Sequence, residues 1–367
     1  MGIVAFVGYV VLVLRHRAFI LALPLIGIGA FALWGGLRFT VYAVPVAAMS
    51  AVYLFWFIGE FFENNLRRIL FATAATAAMI YPNITHIIEY KVPTVLNKAE
   101  VQDLDRLKKM AKEGDYTLAW WDYGYPIWFY SGTNTIIDGG KHQNDNFIIS
   151  KIMQTSSPQL AANLSRLAVE TYVASEYKTI ADTIFKNKQT DQLDPNQLLA
   201  ELESSSYVLP EKTRDIYLYL PYRMMGIFPT VTLFANLDLT TGQPERKIAF
   251  YPTGAVGNQN GLVAFANGIK FDTIKGQIIM GKSKQDVRHF VITQNTKDGK
   301  VHSQSQVYHA EGEFTVLYMK SYNTFIVMDT QTFDSTYVQM FMLEKYDPAQ
   351  FELVVSSPYS KIYRLKK

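Results

Sequence analysis

The sequence predicts a multi-span α-helical membrane region, followed by an extracytoplasmic mixed α/β domain with a β-rich C-terminal subdomain. Long apolar stretches without internal charge crowd residues 1–90, helical spacing dominates residues 91–245, and short β-rich runs with turns fill residues 246–367. Hydrophobic residues make up 49% of the 367, too many for a disordered chain. Charged residues make up only 18%, against roughly 25% in an average soluble domain, and the shortfall lies at the N-terminus.

Met1 to Leu14, Ala18 to Trp34, Val41 to Phe62 and about Ile69 to Ile84 are the apolar stretches. A span needs about 20 apolar residues, so the second to fourth are expected to cross a bilayer with their flanks, while the first is short. It reads as a helix missing its beginning. Arg15 and Arg17 follow that run rather than precede it, unlike a secretory signal. The expectation is therefore the C-terminal part of something longer. Arg15-His16-Arg17 and Arg67-Arg68 lie two spans apart and share a side, which the positive-inside rule makes cytoplasmic. Everything after the fourth stretch then falls on the opposite face. Arg38, after Gly35-Gly36, is the one basic residue at an outer end.

Beyond the membrane part, Val101, Leu104, Leu107 and Met110 recur at helical spacing before Gly114. Helical patterning is also expected from Asp145 to about Ser204 and from Arg214 to Leu233, with an early strand-like aromatic segment between them and the first helix. From about Lys247 the texture turns to strands such as Phe314–Met319 and Thr324–Met328.

Composition excludes several chemistries. With no cysteine there is no disulfide framework, thiolate metal site or cysteine nucleophile. The net charge of +3 comes from Arg15, Arg17 and Arg38, and the remaining 32 basic and 32 acidic residues balance. No basic block marks a nucleic-acid partner. No His-x-x-x-His, no Ser/His/Asp spacing and no carboxylate pair at the membrane surface stands out, so neither a catalytic residue nor a metal ligand is assigned within this chain.

Trp120-Trp121-Asp122-Tyr123-Gly124 places two of five tryptophans side by side. Indole N–H groups only donate and an ionised carboxylate only accepts, so together they could saturate a Ser or Thr hydroxyl of a bound peptide. The competing reading is an aromatic strand ending in a turn capped by Asp122. Met224, Ile227 and Val231 share a helix face, either as plain core or as an apolar wall for a threonine methyl group. Arg38 is either a snorkelling residue or a clamp on an anionic headgroup, and Asp138-Gly139-Gly140-Lys141-His142 either a surface turn or a second phosphate contact.

Trp120-Trp121-Asp122-Tyr123-Gly124 resembles the signature of the catalytic subunit of oligosaccharyltransferases. Gly36-Leu37-Arg38-Phe39-Thr40, Asp138-Gly-Gly-Lys-His142, Lys212-Thr-Arg-Asp-Ile216, Met224-x-x-Ile227-x-x-x-Val231 and Tyr337-Val-Gln-Met-Phe341 resemble the bacterial single-subunit branch, the PglB type. The resemblance implies transfer of a glycan from an undecaprenyl-pyrophosphate carrier to asparagine in Asn-x-Ser/Thr sequons, at the bacterial inner membrane with the large C-terminal domain in the periplasm. It implies that Trp120, Trp121 and Asp122 hold the sequon hydroxyl, that Met224 and Ile227 favour threonine, and that Arg38, Tyr125 and His142 touch the lipid-pyrophosphate donor.

The family's catalytic aspartate, its acidic pair for Mn²⁺ or Mg²⁺ and its external-loop glutamate belong to a part preceding these spans and are absent from this sequence. By resemblance the chain reads sequons and is inactive alone; transfer requires a preceding membrane portion, in the same or a separate polypeptide. The alternative is a non-enzymatic, membrane-anchored peptide- or glycan-binding module. The chain's own sequons, Asn83-Ile-Thr85 and Asn163-Leu-Ser165, lack the acidic residue two positions earlier that bacterial members ask for.

Overall fold

A computed structural model describes residues 2–91, 94–185, 194–296 and 299–366. The chain divides into two compact units, Met1–Val95 and Leu96–Lys367.

The first unit is helical: α1 (Gly2–Arg15), α2 (Leu23–Gly35), α3 (Thr40–Ile58) and α4 (Asn65–Glu89). The buried face of α1 is Ala5, Gly8, Tyr9 and Leu12, at the i, i+3, i+4, i+7 spacing of one helix stripe. Its neighbour α3 buries Val46, Ser50 and Ala51. Small residues let these helices approach: a Cβ on Gly8 would lie 2.1 Å from the Ser50 carbonyl oxygen, and one on Gly29 2.3 Å from the Ala43 Cβ. Two continuous helical stretches, Arg17–Gly35 and Leu37–Phe61, are long and apolar enough to cross a membrane. The fourth expected span differs. Its helix, α4, is 25 residues long but includes Arg67, Arg68, His86 and Glu89, and it is not among the two.

The second unit is mixed α/β. It opens with α5 (Lys98–Lys108), whose Asn97–Glu100 capping box closes both ways: Glu100 N–H donates to Asn97 at 2.9 Å, and Asn97 N–H to the Glu100 carboxylate at 2.7 Å. Met110, expected on this helix, lies beyond it and is exposed. Then come β1 (Tyr116–Leu118), α6 (Gly124–Ser131), α7 (Asp145–Gln154), α8 (Pro158–Ala174), α9 (Ile180–Ile184), α10 (Pro195–Glu201), β2 (Ile216–Pro221) and α11 (Met224–Ala235). The helical expectation for 145–204 holds over α7 to α10, with residues 186–193 outside the described ones.

The expectation of helix from Arg214 fails, because Ile216–Pro221 is a strand with every residue buried. A short apolar run covered on both faces has no alternation to betray it as a strand.

The β-rich part comprises β3 (Phe250–Thr253), β4 (Ala255–Gln259), β5 (Leu262–Phe265), β6 (Lys270–Asp272), β7 (Gln277–Met280), β8 (Ser283–Asn295), β9 (Val301–Val307), β10 (Phe314–Met319) and β11 (Thr324–Asp329). They form one nine-stranded sheet ordered β3-β11-β10-β8-β7-β6-β5-β4, with β9 on β8. The 13-residue β8 pairs β7 through its first half, then β9 and β10 through its second, so one long strand carries the sheet round. It closes over Val263, Phe265, Phe271, Ile278, Val316 and Val327.

After α12 (Thr330–Phe333), the last strands β12 (Phe351–Ser356) and β13 (Ser360–Leu365) leave that sheet. They return to β2, giving a four-stranded sheet ordered β1-β2-β13-β12, in which β1 and β2 are parallel and β13 runs antiparallel to β2.

Candidate functional site

Parallel neighbours end at the same edge. Tyr116 pairs with Ile216 and Leu118 with Leu218, so the chain leaves β1 and β2 side by side and turns into a helix at each exit. The first exit carries Trp120-Trp121-Asp122 into α6, and the second carries Tyr222-Arg223 into α11. The carboxyl ends of parallel strands are where α/β sheets build ligand sites, because strand-to-helix turns leave side chains and backbone donors unpaired there.

Each turn is fixed from several directions. At the first, a hydroxyl chain joins Thr117 to Thr133 at 2.7 Å and Thr133 to Ser131 at 2.8 Å, all buried. Gly124 must be glycine, since a Cβ there would come within 2.6 Å of the Ile137 carbonyl oxygen and the Asp138 backbone. That contact presses the Asp138–His142 turn onto the aromatic motif. At the second, Arg223 Nε reaches the buried Glu100 carboxylate at 2.6 Å. Tyr222 stacks on Tyr322 with ring centroids 4.5 Å apart, and the Tyr337 hydroxyl donates to the Pro221 carbonyl at 2.9 Å. Ser150 and Gln154 of α7 donate to the Val231 and Thr232 carbonyls. Both stand near Pro229, whose missing N–H weakens the helix from within.

The sequence-predicted residues fall into three places. Trp120, Trp121, Asp122, Tyr125 and His142 gather at the first exit. Trp120 is buried against Phe234, with centroids 5.0 Å apart, and its indole opposes the rise that burial gives the Asp122 carboxyl. Trp121, half-buried, stacks on the exposed His142 ring at 4.9 Å and 24°. The Tyr125 ring lies over Gly139 and Gly140, where a Cβ would approach within 2.8 Å. Asp138 Oδ1 accepts from the Gly140 and Lys141 N–H groups, and Lys141 turns its amine to the Tyr172 hydroxyl at 2.6 Å. Of the expected cation pair, only His142 stays against Trp121.

Met224 and Ile227 stand at the second exit. Met224 is fully buried and backs the wall, whereas Ile227 keeps part of its surface exposed and packs on the same core as Trp121. Arg38 belongs to the other unit. It is exposed in the short turn Leu37–Phe39 between α2 and α3, over the Phe39 ring at 5.9 Å.

Partial desolvation holds the Asp122 carboxyl above the usual carboxylate range, opposed by the Trp120 indole, its own backbone N–H and His142. Glu100, Arg223, Tyr322 and Tyr337 support the second exit, a role that sequence reasoning assigned to none of them. The capping box at Asn97–Glu100 was legible, but its partner stands 123 residues away. Among the described residues, no three His, Asp or Glu side chains gather as a metal site, so the residues present do not fit the implied Mn²⁺ or Mg²⁺.

Residues 113–241, which enclose both exits, match the STT3/PglB/AglB core domain, and residues 249–328 match the STT3/PglB C-terminal beta-barrel domain. The chain superposes on the crystal structure of the Campylobacter jejuni PglB C-terminal domain with a TM-score of 0.65 at 33% identity, covering 73% of this chain and 99% of that one. The chain belongs to the STT3/PglB family. It is 35% and 36% identical to the undecaprenyl-diphosphooligosaccharide–protein glycotransferases of two C. jejuni strains, over 98% of its own length and 52% of theirs. It thus spans about half the length of the curated relatives it matches. Within this STT3/PglB chain the β-barrel match coincides with the nine-stranded sheet, and the core match with the strand exits.

Proposed function

We propose that this chain supplies acceptor recognition and part of the donor site of an oligosaccharyltransferase, which transfers a glycan from an undecaprenyl-pyrophosphate carrier to asparagine of Asn-x-Ser/Thr sequons. The observation that carries the reading is that Trp120-Trp121-Asp122 and Met224-x-x-Ile227 follow the carboxyl ends of two adjacent parallel strands. In this reading residues 1–90 hold membrane-spanning helices in a bacterial inner membrane, and the rest lies in the periplasm. Two sufficiently long apolar helical stretches support the first part.

At the acceptor side, Asp122 accepts the sequon hydroxyl proton, while an indole N–H donates to the hydroxyl oxygen. Trp120 orients the carboxylate. Ile227, backed by Met224, packs on the methyl group that distinguishes threonine from serine. At the donor side, His142 Nδ1 lies 3.3 Å from the Asp138 carbonyl. A ring N–H of His142 and the Tyr125 hydroxyl donate to phosphate oxygens, and Arg38 offers a bidentate guanidinium. No step here runs through a metal.

The test is binding of a fluorescent Asp-x-Asn-x-Thr peptide to the chain in detergent, with Thr replaced by Ala or Val. Selective binding of the Thr peptide, lost in Asp122→Ala, is expected. A folded chain that binds all three peptides equally would sink the reading.

A further inference from the structure

Beside the aromatic motif lies a groove of about 470 Å³. Its walls are Phe147 at the start of α7, Phe185 after α9, and Phe234, Leu237 and Leu239 at and beyond the end of α11. Phe234 is the wall common to groove and motif: its ring packs on Trp120 at 5.0 Å and is still 37% exposed. Gln143 and Asn144, both exposed, stand at the rim directly after His142, whose ring stacks on Trp121.

We infer that this groove is an acceptor subsite, taking an apolar side chain that flanks the sequon while the rim amides of Gln143 and Asn144 hydrogen-bond the peptide backbone. The inference rests on the sequon reading above and adds a preference outside the sequon. Reach favours it. An extended peptide advances about 3.3 Å per residue, so a chain whose hydroxyl sits at Asp122 arrives beyond the Phe234 ring within a few residues. Chemistry favours it too, because aromatic and aliphatic walls with a few polar groups at the mouth are the make-up of a side-chain pocket. A glycan would call for several carboxylates and amides along the walls, where this groove has three phenylalanines and two leucines against the single carboxylate of Asp182.

The experiment uses Asp-x-Asn-x-Thr peptides carrying photo-reactive leucine stepped through the four positions on either side of the sequon. They are crosslinked to the chain in detergent and mapped by mass spectrometry. One position is expected to crosslink at Phe185, Leu237 or Leu239, and the crosslink disappears when Thr is replaced by Ala. Leucine there should bind about tenfold tighter than serine, the scale of one apolar group in a hydrophobic pocket. Leu239→Gln should remove that advantage without touching Thr selectivity.

Thr-dependent binding with no groove crosslink, and equal affinity for leucine and serine, would overturn the subsite and leave the sequon reading intact. Groove crosslinks that ignore the Thr→Ala change would overturn the link between groove and sequon. Loss of all Thr dependence would remove the sequon reading itself.

Discussion

The two ends of the β1–β2 pair carry the same kinds of side chain and use them in opposite ways. At the starting end, Asp115 accepts from the Lys112 N–H at 2.7 Å and from the Asp215 N–H at 3.0 Å. Glu170 accepts from the Thr213 N–H and hydroxyl at 2.8 and 2.7 Å, and Arg214 donates to the Gly114 carbonyl. A cleft of about 490 Å³ opens there, yet Asp115, Lys212, Thr213, Arg214 and Asp215 in its lining are each engaged within the fold. At the exit end, Trp121 and Ile227 are half-buried, and Tyr125 and Asp122 face solvent. The difference teaches that the volume of a cleft is a poor guide to function; bonding capacity left open after folding is a better one.

The largest expected effect breaks the starting end. Asp115→Ala removes a buried acceptor and leaves two part-buried backbone donors without it, at a cost of about 2 kcal/mol. Thermal unfolding of the chain in detergent should show a clear drop in midpoint, while affinity for the sequon peptide stays within about twofold. A large affinity change at unaltered stability would mean that the comparison has the two ends reversed.

Asp122→Ala is the mirror image. Losing a charged acceptor should weaken Thr-peptide binding about 10- to 100-fold, by peptide titration, with a shift in unfolding midpoint smaller than that of Asp115→Ala, because Asp122 is exposed. Ile227→Ala is smaller again. One methyl contact is worth about 0.8 kcal/mol, so the preference for Thr over Ser should fall about fourfold while Ser-peptide affinity holds. Equal losses for both peptides would assign Ile227 to the core alone.

The chain's own sequons sharpen the contrast from another side. Asn163 is buried in α8 with its amide on the Leu202 and Ser204 carbonyls, and Asn83 sits in α4 bonded to the Met79 carbonyl. Neither presents an extended acceptor, so intact-mass spectrometry of folded chain incubated with an active homologue should show no added glycan.

What was legible in the sequence was local. Trp120-Trp121-Asp122 could be read as donors and an acceptor because the three are contiguous, and the Asp138–His142 glycine turn was visible for the same reason. The strand Ile216–Pro221 was not, since its Ile-Tyr-Leu-Tyr-Leu run is buried on both faces and lacks period-two alternation. Pairings that span most of the domain left no local mark. Ser360 meets Pro221 across β13 and β2, Glu100 meets Arg223, and Tyr337 meets Pro221, so the supports of the site come from residues whose types alone say only core or surface.

The smallest effect separates the roles of one carboxylate by sign. The Asp122 carboxyl is held above its ordinary value, mainly by desolvation. Its ionised form is the stronger acceptor for the sequon hydroxyl, so peptide affinity should be highest above the raised value and fall as pH drops through it. Folding stability moves the other way: a carboxyl raised on folding binds protons more readily in the folded state, so the Asp122 contribution rises as pH falls through the same range. The nearby His142 ring opposes that rise without changing either sign. Asp122→Asn is the reference. Its residual Thr-peptide binding should be flat with pH between neutral and about pH 4, the ordinary carboxylate range. A variant that keeps the wild-type pH profile would move the titrating group away from Asp122.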